Sequence, residues 1–237
     1  MVKLWLGDAY ATVASWNCAE VSLLLVDPPY DIHAGAGGGC FGSRGHLIKT
    51  GGFTDGGCDY SFLSTFDNWM AFCSRKQLIE LLQIANGSSH RWNLLTWCKP
   101  NPVPTCNNKY LPDVEYIVHG FEKGRLFGDY SDKASFHVYP CGNKETNHPN
   151  EKPIEVMSRL VTLGSETTNI VADVFMGSGS TGVAAIRLGR RFWGVESDTE
   201  HFATAKARII AELPENRAPL FRGVEMRETQ KPLGFAE

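Results

Sequence analysis

The chain has 237 residues, 43% hydrophobic and 21% charged, with a formal net charge of −3. A chain of this length buries a large core without staples, and its near-neutral balance argues against holding nucleic acid by bulk charge alone. Its seven cysteines, odd in number and without a closely spaced pair, point to reduced thiols in a cytoplasm rather than a disulfide framework or a zinc site.

Residues 2–6 form a short apolar stretch ending at Gly7-Asp8. Residues 21–26, interrupted only by Ser22, are the longest apolar run. That run is too short for a membrane span, and the polar start at Lys3 and Gly7 does not suit a signal peptide. A nearly continuous Leu/Val run closed by Asp27-Pro28-Pro29-Tyr30 predicts a strand buried on both faces of a parallel sheet. Residues 31–60 then carry ten glycines and are expected to be a long loop that moves or closes over something.

Phe62, Phe66, Trp69 and Cys73, followed by Leu78, Leu81 and Leu82, have helical spacing and predict one amphipathic helix ending near Asn86-Gly87. Residues 92–97 read as a strand, ended by the proline-rich segment from Lys99 to Pro104. Residues 114–118 and 121–127 read as a pair of strands broken by Gly120 and Gly124, and 128–150 as polar and turn-rich. Pro153 suits the first turn of a short helix through Ile154, Met157, Leu160 and Val161, capped by Gly164. A strand at 169–175, a helix at 180–188, a strand at 191–195 and a last helix through Phe202, Ala205, Ile209 and Leu213 follow. Residues 214–237 read as a polar, loosely held tail. Alternating strands and helices predict an α/β fold with a mostly parallel sheet.

Gly177-Ser178-Gly179-Ser180-Thr181-Gly182 lies between a predicted strand and a predicted helix. As a phosphate loop it fails, because Val183-Ala184 stand where a nucleotide triphosphatase needs Lys and Ser or Thr. A plain tight turn and a nucleotide-cofactor site remain: glycines admit a close ligand, and a helix N-terminus favours an anionic group. Glu196, at the end of the next strand, is placed to accept hydrogen bonds from ribose hydroxyls or is a solvated strand-end charge. Asp27-Pro28-Pro29-Tyr30 separates the cofactors better. Two prolines fix φ and remove two donors, leaving carbonyls beside a carboxylate and a phenol ring. An acceptor-rich pocket with an aromatic wall suits a planar group bearing an amino donor, such as a nucleobase amine.

Asp27-Pro28-Pro29-Tyr30 resembles the catalytic D-P-P-Y motif of S-adenosylmethionine-dependent DNA amino-methyltransferases. The segment from Asp173 through Phe175, Gly177 and Gly179 to Gly182 is similar to their D-x-F-x-G-S-G-T cofactor motif, with Ser180 where Thr is usual. His148-Pro149-Asn150-Glu151-Lys152-Pro153 is similar to the family's H-P-x-x-K-P segment, and Arg191 to Glu196 to the strand supplying the ribose acid. Gly7-Asp8 matches its G-D element, and Lys99 to Pro104 and Asp113-Val114-Glu115 echo further segments. The resemblance covers residues 4 to about 210, and the catalytic motif precedes the cofactor motif, the order of the β group.

The resemblance implies a Rossmann-like methyltransferase fold, circularly permuted in motif order, with helices on both faces of a mostly parallel twisted sheet. It implies methyl transfer from S-adenosylmethionine to N6 of an adenine flipped out of double-stranded DNA, with no metal. Asp27 and the Pro28 carbonyl would accept the two amino hydrogens, and Pro29 and Tyr30 complete the motif, Tyr30 stacking on the base. Around the cofactor, Phe175 would pack beside the adenosine and Gly177 and Gly179 approach the methionine part, with Thr181 in the same turn and Asp27 adjoining. Glu196 would hold the ribose, Asp8 the adenine amine, Asp173 the ammonium and Lys152 the carboxylate. Residues 1–213 would be the methyltransferase domain, with target recognition in 31–60 or 101–147. Residues 91–152 hold eight basic and seven acidic side chains, so any basic patch must be assembled in three dimensions.

Four rival readings are weaker. A cytosine-N4 or RNA-adenine methyltransferase shares the motif set. A protein-amide methyltransferase would carry N-P-P-Y after the cofactor motif. A nicotinamide oxidoreductase has no use for Asp27-Pro28-Pro29-Tyr30, and a silent DNA-binding module needs neither motif intact. The resemblance is compatible with a restriction endonuclease partner or none, and with a monomer or a homodimer.

Overall fold

The structure, a computed structural model, describes residues 1–31, 53–54, 58–102, 104, 110–122, 126–142, 151–213 and 226–228. Most of the expected glycine-rich loop, part of the expected recognition region, His148-Pro149-Asn150, the Tyr30 ring and most of the tail lie outside the described part.

In chain order the strands are β1 (Val2–Leu6), β2 (Leu23–Val26), β3 (Tyr30–Asp31), β4 (Phe53–Thr54), β5 (Asn68–Cys73), β6 (Arg91–Cys98), β7 (Val114–Phe121), β8 (Phe136–Val138), β9 (Ile170–Asp173), β10 (Arg191–Glu196) and β11 (Met226–Glu228). The α-helices are α1 (Ala9–Val13), α2 (Gln77–Gly87), α3 (Ile154–Gly164), α4 (Ser180–Arg187) and α5 (Thr199–Ala211). Nine strands form one sheet in the order β11-β1-β10-β9-β2-β5-β7-β6-β8. Among the described residues only β7 runs antiparallel to its neighbours, β5 and β6, so the expected mostly parallel α/β sheet is present. β3 and β4 pair in parallel by themselves.

Every residue of β2 is buried: Leu23 and Leu25 face one half of the core, Leu24 and Val26 the other. α3, α4 and α5 cover the first face through Leu160, Val183 and Ile209, and α1 and α2 cover the second through Val13, Leu81 and Ala85. This double cover explains a continuous apolar run instead of alternation. β9, β10 and β1 extend to one side of β2 and β5 to the other. A cleft at the carboxyl ends is expected where chain order reverses this way, here between β9 and β2.

Three expectations are corrected. The helix expected across Phe62 to Leu82 is a 3-10 turn at Ser61–Thr65, then β5, then α2 from Gln77. β5 is buried on both faces, with Met70 and Phe72 on one and Trp69 and Ala71 on the other, so its apolar residues carried no period of two. The strand pair across Gly120 is the single strand β7. A Cβ on Gly120 would lie 2.3 Å from the Trp69 ring, so the glycine makes room for an indole rather than ending a strand. Two short strands lay inside segments read as irregular: β8, in the turn-rich 128–150, and β11, which joins the tail to β1. Among the described residues, no helix is long and apolar enough to cross a membrane.

Candidate active site

A cavity of about 440 Å3 opens at the carboxyl ends of β1, β2, β9 and β10, within the size range of small-molecule sites. Its lining includes Asp8, Asp27, Pro28, Pro29, Lys152, Asp173, Phe175, Gly177, Thr181 and Glu196. Sequence positions as far apart as 8 and 196 thus converge on one space. Gly179 stands just behind that lining, as the N-cap of α4.

The turn from β9 into α4 has a specific architecture. Gly177 and Gly179 adopt φ values of +49° and +83°, a left-handed conformation that side chains resist. Asp173 is buried; its Oδ1 accepts the Phe175 N–H at 3.0 Å and its Oδ2 the Thr181 hydroxyl at 2.5 Å. Burial pushes the Asp173 carboxyl up to about 7; the two hydrogen bonds pull it down without prevailing, and the charges of Asp27 and Glu196 add to the rise. Glu196 Oε2 accepts the Gly177 N–H at 2.9 Å, while Oε1 accepts those of Ser197 and Asp198 at 2.8 and 2.9 Å. Asp8 caps α1 by accepting the Ala11 N–H at 2.8 Å, combining a capping role with a place at the cavity. Phe175 forms an edge-to-face trio with Tyr10 and Phe62, whose centroids lie 5.9–6.5 Å apart.

On the other wall, Asp27 leaves β2 half-buried, followed by a buried Pro28. The Gln77 side-chain amide donates to the Pro29 carbonyl at 3.1 Å and to the Tyr60 hydroxyl at 2.5 Å, pinning the proline turn from α2. Asp27 Oδ2 accepts from the Lys152 ammonium at 2.5 Å. Lys152 is also 3.4 Å from Glu115 Oε2, and Glu115 Oε1 pairs with Lys99. Burial alone would lower the Lys152 ammonium, but Asp27 and Glu115 outweigh it and hold the group above the usual lysine range. Burial likewise raises Glu115, and Lys152 and Lys99 reverse that to a net lowering. Lys152, expected to meet a cofactor carboxylate, lines the cavity with its ammonium directed at Asp27 and Glu115.

Five residues of this arrangement, Tyr10, Tyr60, Gln77, Lys99 and Glu115, belong to no motif that the sequence assigns a role. Lys99 and Glu115 lay in segments that echoed family elements. Gln77 and Tyr60 carried no sequence signal, because a polar residue at a helix start and a tyrosine beside a glycine-rich stretch are ordinary.

A sequence profile of the family described as DNA methylase, N6_N4_Mtase, matches residues 75–207. The chain belongs to this DNA methylase family. It is a DNA methyltransferase, and S-adenosylmethionine is its methyl donor. The methylase is 25% identical to the Type II methyltransferase M2.DpnII of Streptococcus pneumoniae, over 89% of this chain and 90% of that protein. It is 26% identical to the Type II methyltransferase M2.LlaDCHI of Lactococcus lactis subsp. cremoris, over 86% and 87%. In fold it is similar to M1.HpyAVI in complex with SAM, with TM-score 0.66, 22% identity and coverage of 88% of this chain and 99% of that one. It is also similar in fold to the cytosine-N4-specific PvuII DNA methyltransferase, with TM-score 0.66, 14% identity and coverage of 91% and 87%. The methylase cavity suits the donor: left-handed glycines admit a close ligand, three backbone amides hold an acid at the end of β10, and Tyr10 and Phe175 offer an aromatic wall.

Proposed function

We propose that this methyltransferase modifies N6 of an adenine flipped out of double-stranded DNA. The observation that carries the reading is the acceptor pair at the cavity edge. Asp27 and Pro28 both line the cavity, Asp27 with Oδ2 held by Lys152, while the Pro29 carbonyl is engaged by Gln77. An exocyclic amine is a poor nucleophile because its lone pair is delocalised into the ring. Asp27 and Pro28 each accept one amino hydrogen, which draws the nitrogen toward tetrahedral geometry and frees the lone pair. S-adenosylmethionine would supply an electrophilic sulfonium methyl for in-line attack: the S–CH3 bond breaks as the N–CH3 bond forms, and the methylated amine gives up one hydrogen as a proton to Asp27 or to solvent. Positioning and electrostatics carry the step, since methyl transfer needs no covalent enzyme intermediate.

In the cofactor half, Glu196 holds the ribose hydroxyls, Asp8 the adenine amine, and Phe175 packs beside the adenosine. Gly177, Gly179 and Thr181 shape the methionine end, where Asp173 meets the ammonium. Tyr30 stacks on the flipped base, whose extrusion costs a few kcal/mol. Target recognition belongs to 31–60 or 101–147, around a catalytic domain at 1–213. The D-P-P-Y form favours adenine over cytosine by resemblance. The deciding experiment supplies labelled S-adenosylmethionine with duplex DNA, RNA or protein and identifies the product. N6-methyladenine in DNA is expected; N4-methylcytosine, or label in RNA or protein alone, overturns the reading.

A further inference from the structure

We propose that Glu115, which lies outside the cavity lining, is a positioning residue for methyl transfer and acts on Asp27 through Lys152. The inference rests on reading Asp27 as the acceptor of an amino hydrogen. Four charged side chains alternate in sign along one path: Lys99, Glu115, Lys152, Asp27. The outer end is anchored. The Lys99 N–H donates to the Asp113 carbonyl, and its ammonium lies 4.6 Å from the centre of the Trp97 ring. Glu115 pairs in register with Trp97 across the β6–β7 ladder, so the sheet fixes its backbone. The Lys152 side chain is 7% exposed and its ammonium sits 5.0 Å from the Phe72 ring, deep in the first core face.

The Lys152 ammonium lies 2.5 Å from Asp27 and 3.4 Å from Glu115, so its attraction to Asp27 dominates and sets how that carboxylate is held. A second carboxylate behind the ammonium divides that attraction and restrains a stem with four rotatable bonds. Glu115 thus holds the Lys152 ammonium from behind and fixes the direction from which it orients Asp27. Lys99 balances Glu115, so these four side chains carry two charges of each sign.

The test uses Glu115→Gln and Glu115→Asp in the full-length protein, with kcat, affinity for S-adenosylmethionine and melting temperature measured together. Glu115→Gln should lower kcat on the order of tenfold to a hundredfold, with donor affinity kept within about twofold. Glu115→Asp should recover most of the loss. In a Lys152→Met background, Glu115→Gln should add nothing, because its route to Asp27 is gone. If Glu115→Gln does not fold, Lys99→Gln carries the test, with a smaller fall in kcat at unchanged donor affinity. An unchanged kcat, a joint loss of kcat and donor affinity without rescue by Asp, or full additivity with Lys152→Met overturns the proposal. Asp27→Ala separates the two levels. If it still methylates, the acceptor role of Asp27 fails; if it is silent while Glu115→Gln behaves as wild type, only the role of Glu115 fails.

Discussion

The Thr181 hydroxyl donates to Asp173 Oδ2 at 2.5 Å, tying the first turn of α4 to the end of β9 beneath the cavity. The bond closes the glycine turn from below, yet it does not keep the carboxyl acidic, because burial raises Asp173 to about 7. The sign of the consequence follows from proton counting. Between about pH 4 and pH 7 the unfolded chain has released this proton while the folded chain keeps it, so stability falls as pH rises through that window. The loss is bounded at about 4 kcal/mol, the free energy separating a carboxyl at about 7 from one at its ordinary acidic value. In the ligand-free protein, wild type should therefore lose melting temperature relative to Asp173→Asn as pH is raised from about 5 to about 8. Parallel thermal profiles would contradict a carboxyl raised this far.

Glu196 offers a different kind of test, because its carboxylate already accepts three backbone N–H groups. Those bonds fix the acid's orientation before any ligand arrives, which preorganises it for ribose hydroxyls. Glu196→Ala removes the acceptor and leaves the Gly177 N–H without its partner. Calorimetry should show donor affinity weakened by about tenfold or more, the loss expected when a charged hydrogen-bond acceptor is removed. Unchanged affinity would place the ribose elsewhere.

The same residues show how far sequence reasoning reached. The glycine turn, Asp27-Pro28-Pro29 and Glu196 were legible because each needs a particular chemistry at a particular place, and all line one cavity. β2 was legible because burial on both faces leaves a continuous apolar run. β5 has the same burial, but its Trp69 and Cys73 fell, with Phe62 and Phe66 before them, on a helical spacing that ran into the real helix α2. Gly120 misled because a glycine that accommodates an indole looks, in sequence, like one that ends a strand. The path from Asp27 to Glu115 was invisible because its pairing spans residues 27 to 152 and crosses the antiparallel strand β7, which has no local signature.

Gln77 tests whether the proline turn depends on support from α2. Its amide is shared between the Pro29 carbonyl and the Tyr60 hydroxyl; Gln77 and Tyr60 are buried and Pro29 is half-buried. Gln77→Leu keeps the bulk but leaves a carbonyl and a phenol without their donor, which should cost about 1–3 kcal/mol of stability. It should also lower kcat more than donor affinity, since the turn bearing Asp27 and Pro28 loses its clamp. Glu at this position is not a neutral control because it cannot donate when ionised. Chemical denaturation with single-turnover kinetics would show both effects, and a loss of stability with unaltered kcat would reduce Gln77 to a packing residue.

Two glycine-to-alanine changes should move stability in opposite directions, for reasons the backbone supplies. Gly179 precedes α4 at φ +83°, and a Cβ there would lie 3.0 Å from the Cβ and 3.1 Å from the Cα of Ala205 on α5. Alanine at 179 therefore meets a left-handed backbone, costing roughly 1–2 kcal/mol, together with a close approach that only movement of α5 relieves. That movement would open the turn holding Gly177 against Glu196, so donor affinity should fall with melting temperature. Gly87 is the last residue of α2, and a Cβ there meets nothing within 4 Å. Alanine at 87 should be neutral or stabilising by up to about 1 kcal/mol, because glycine is the poorer helix former. Donor affinity should not change at that distance from the cavity. Equal losses at both positions would mean that glycine is needed for general backbone freedom, whereas loss at 179 alone ties the requirement to the contact between the turn and α5.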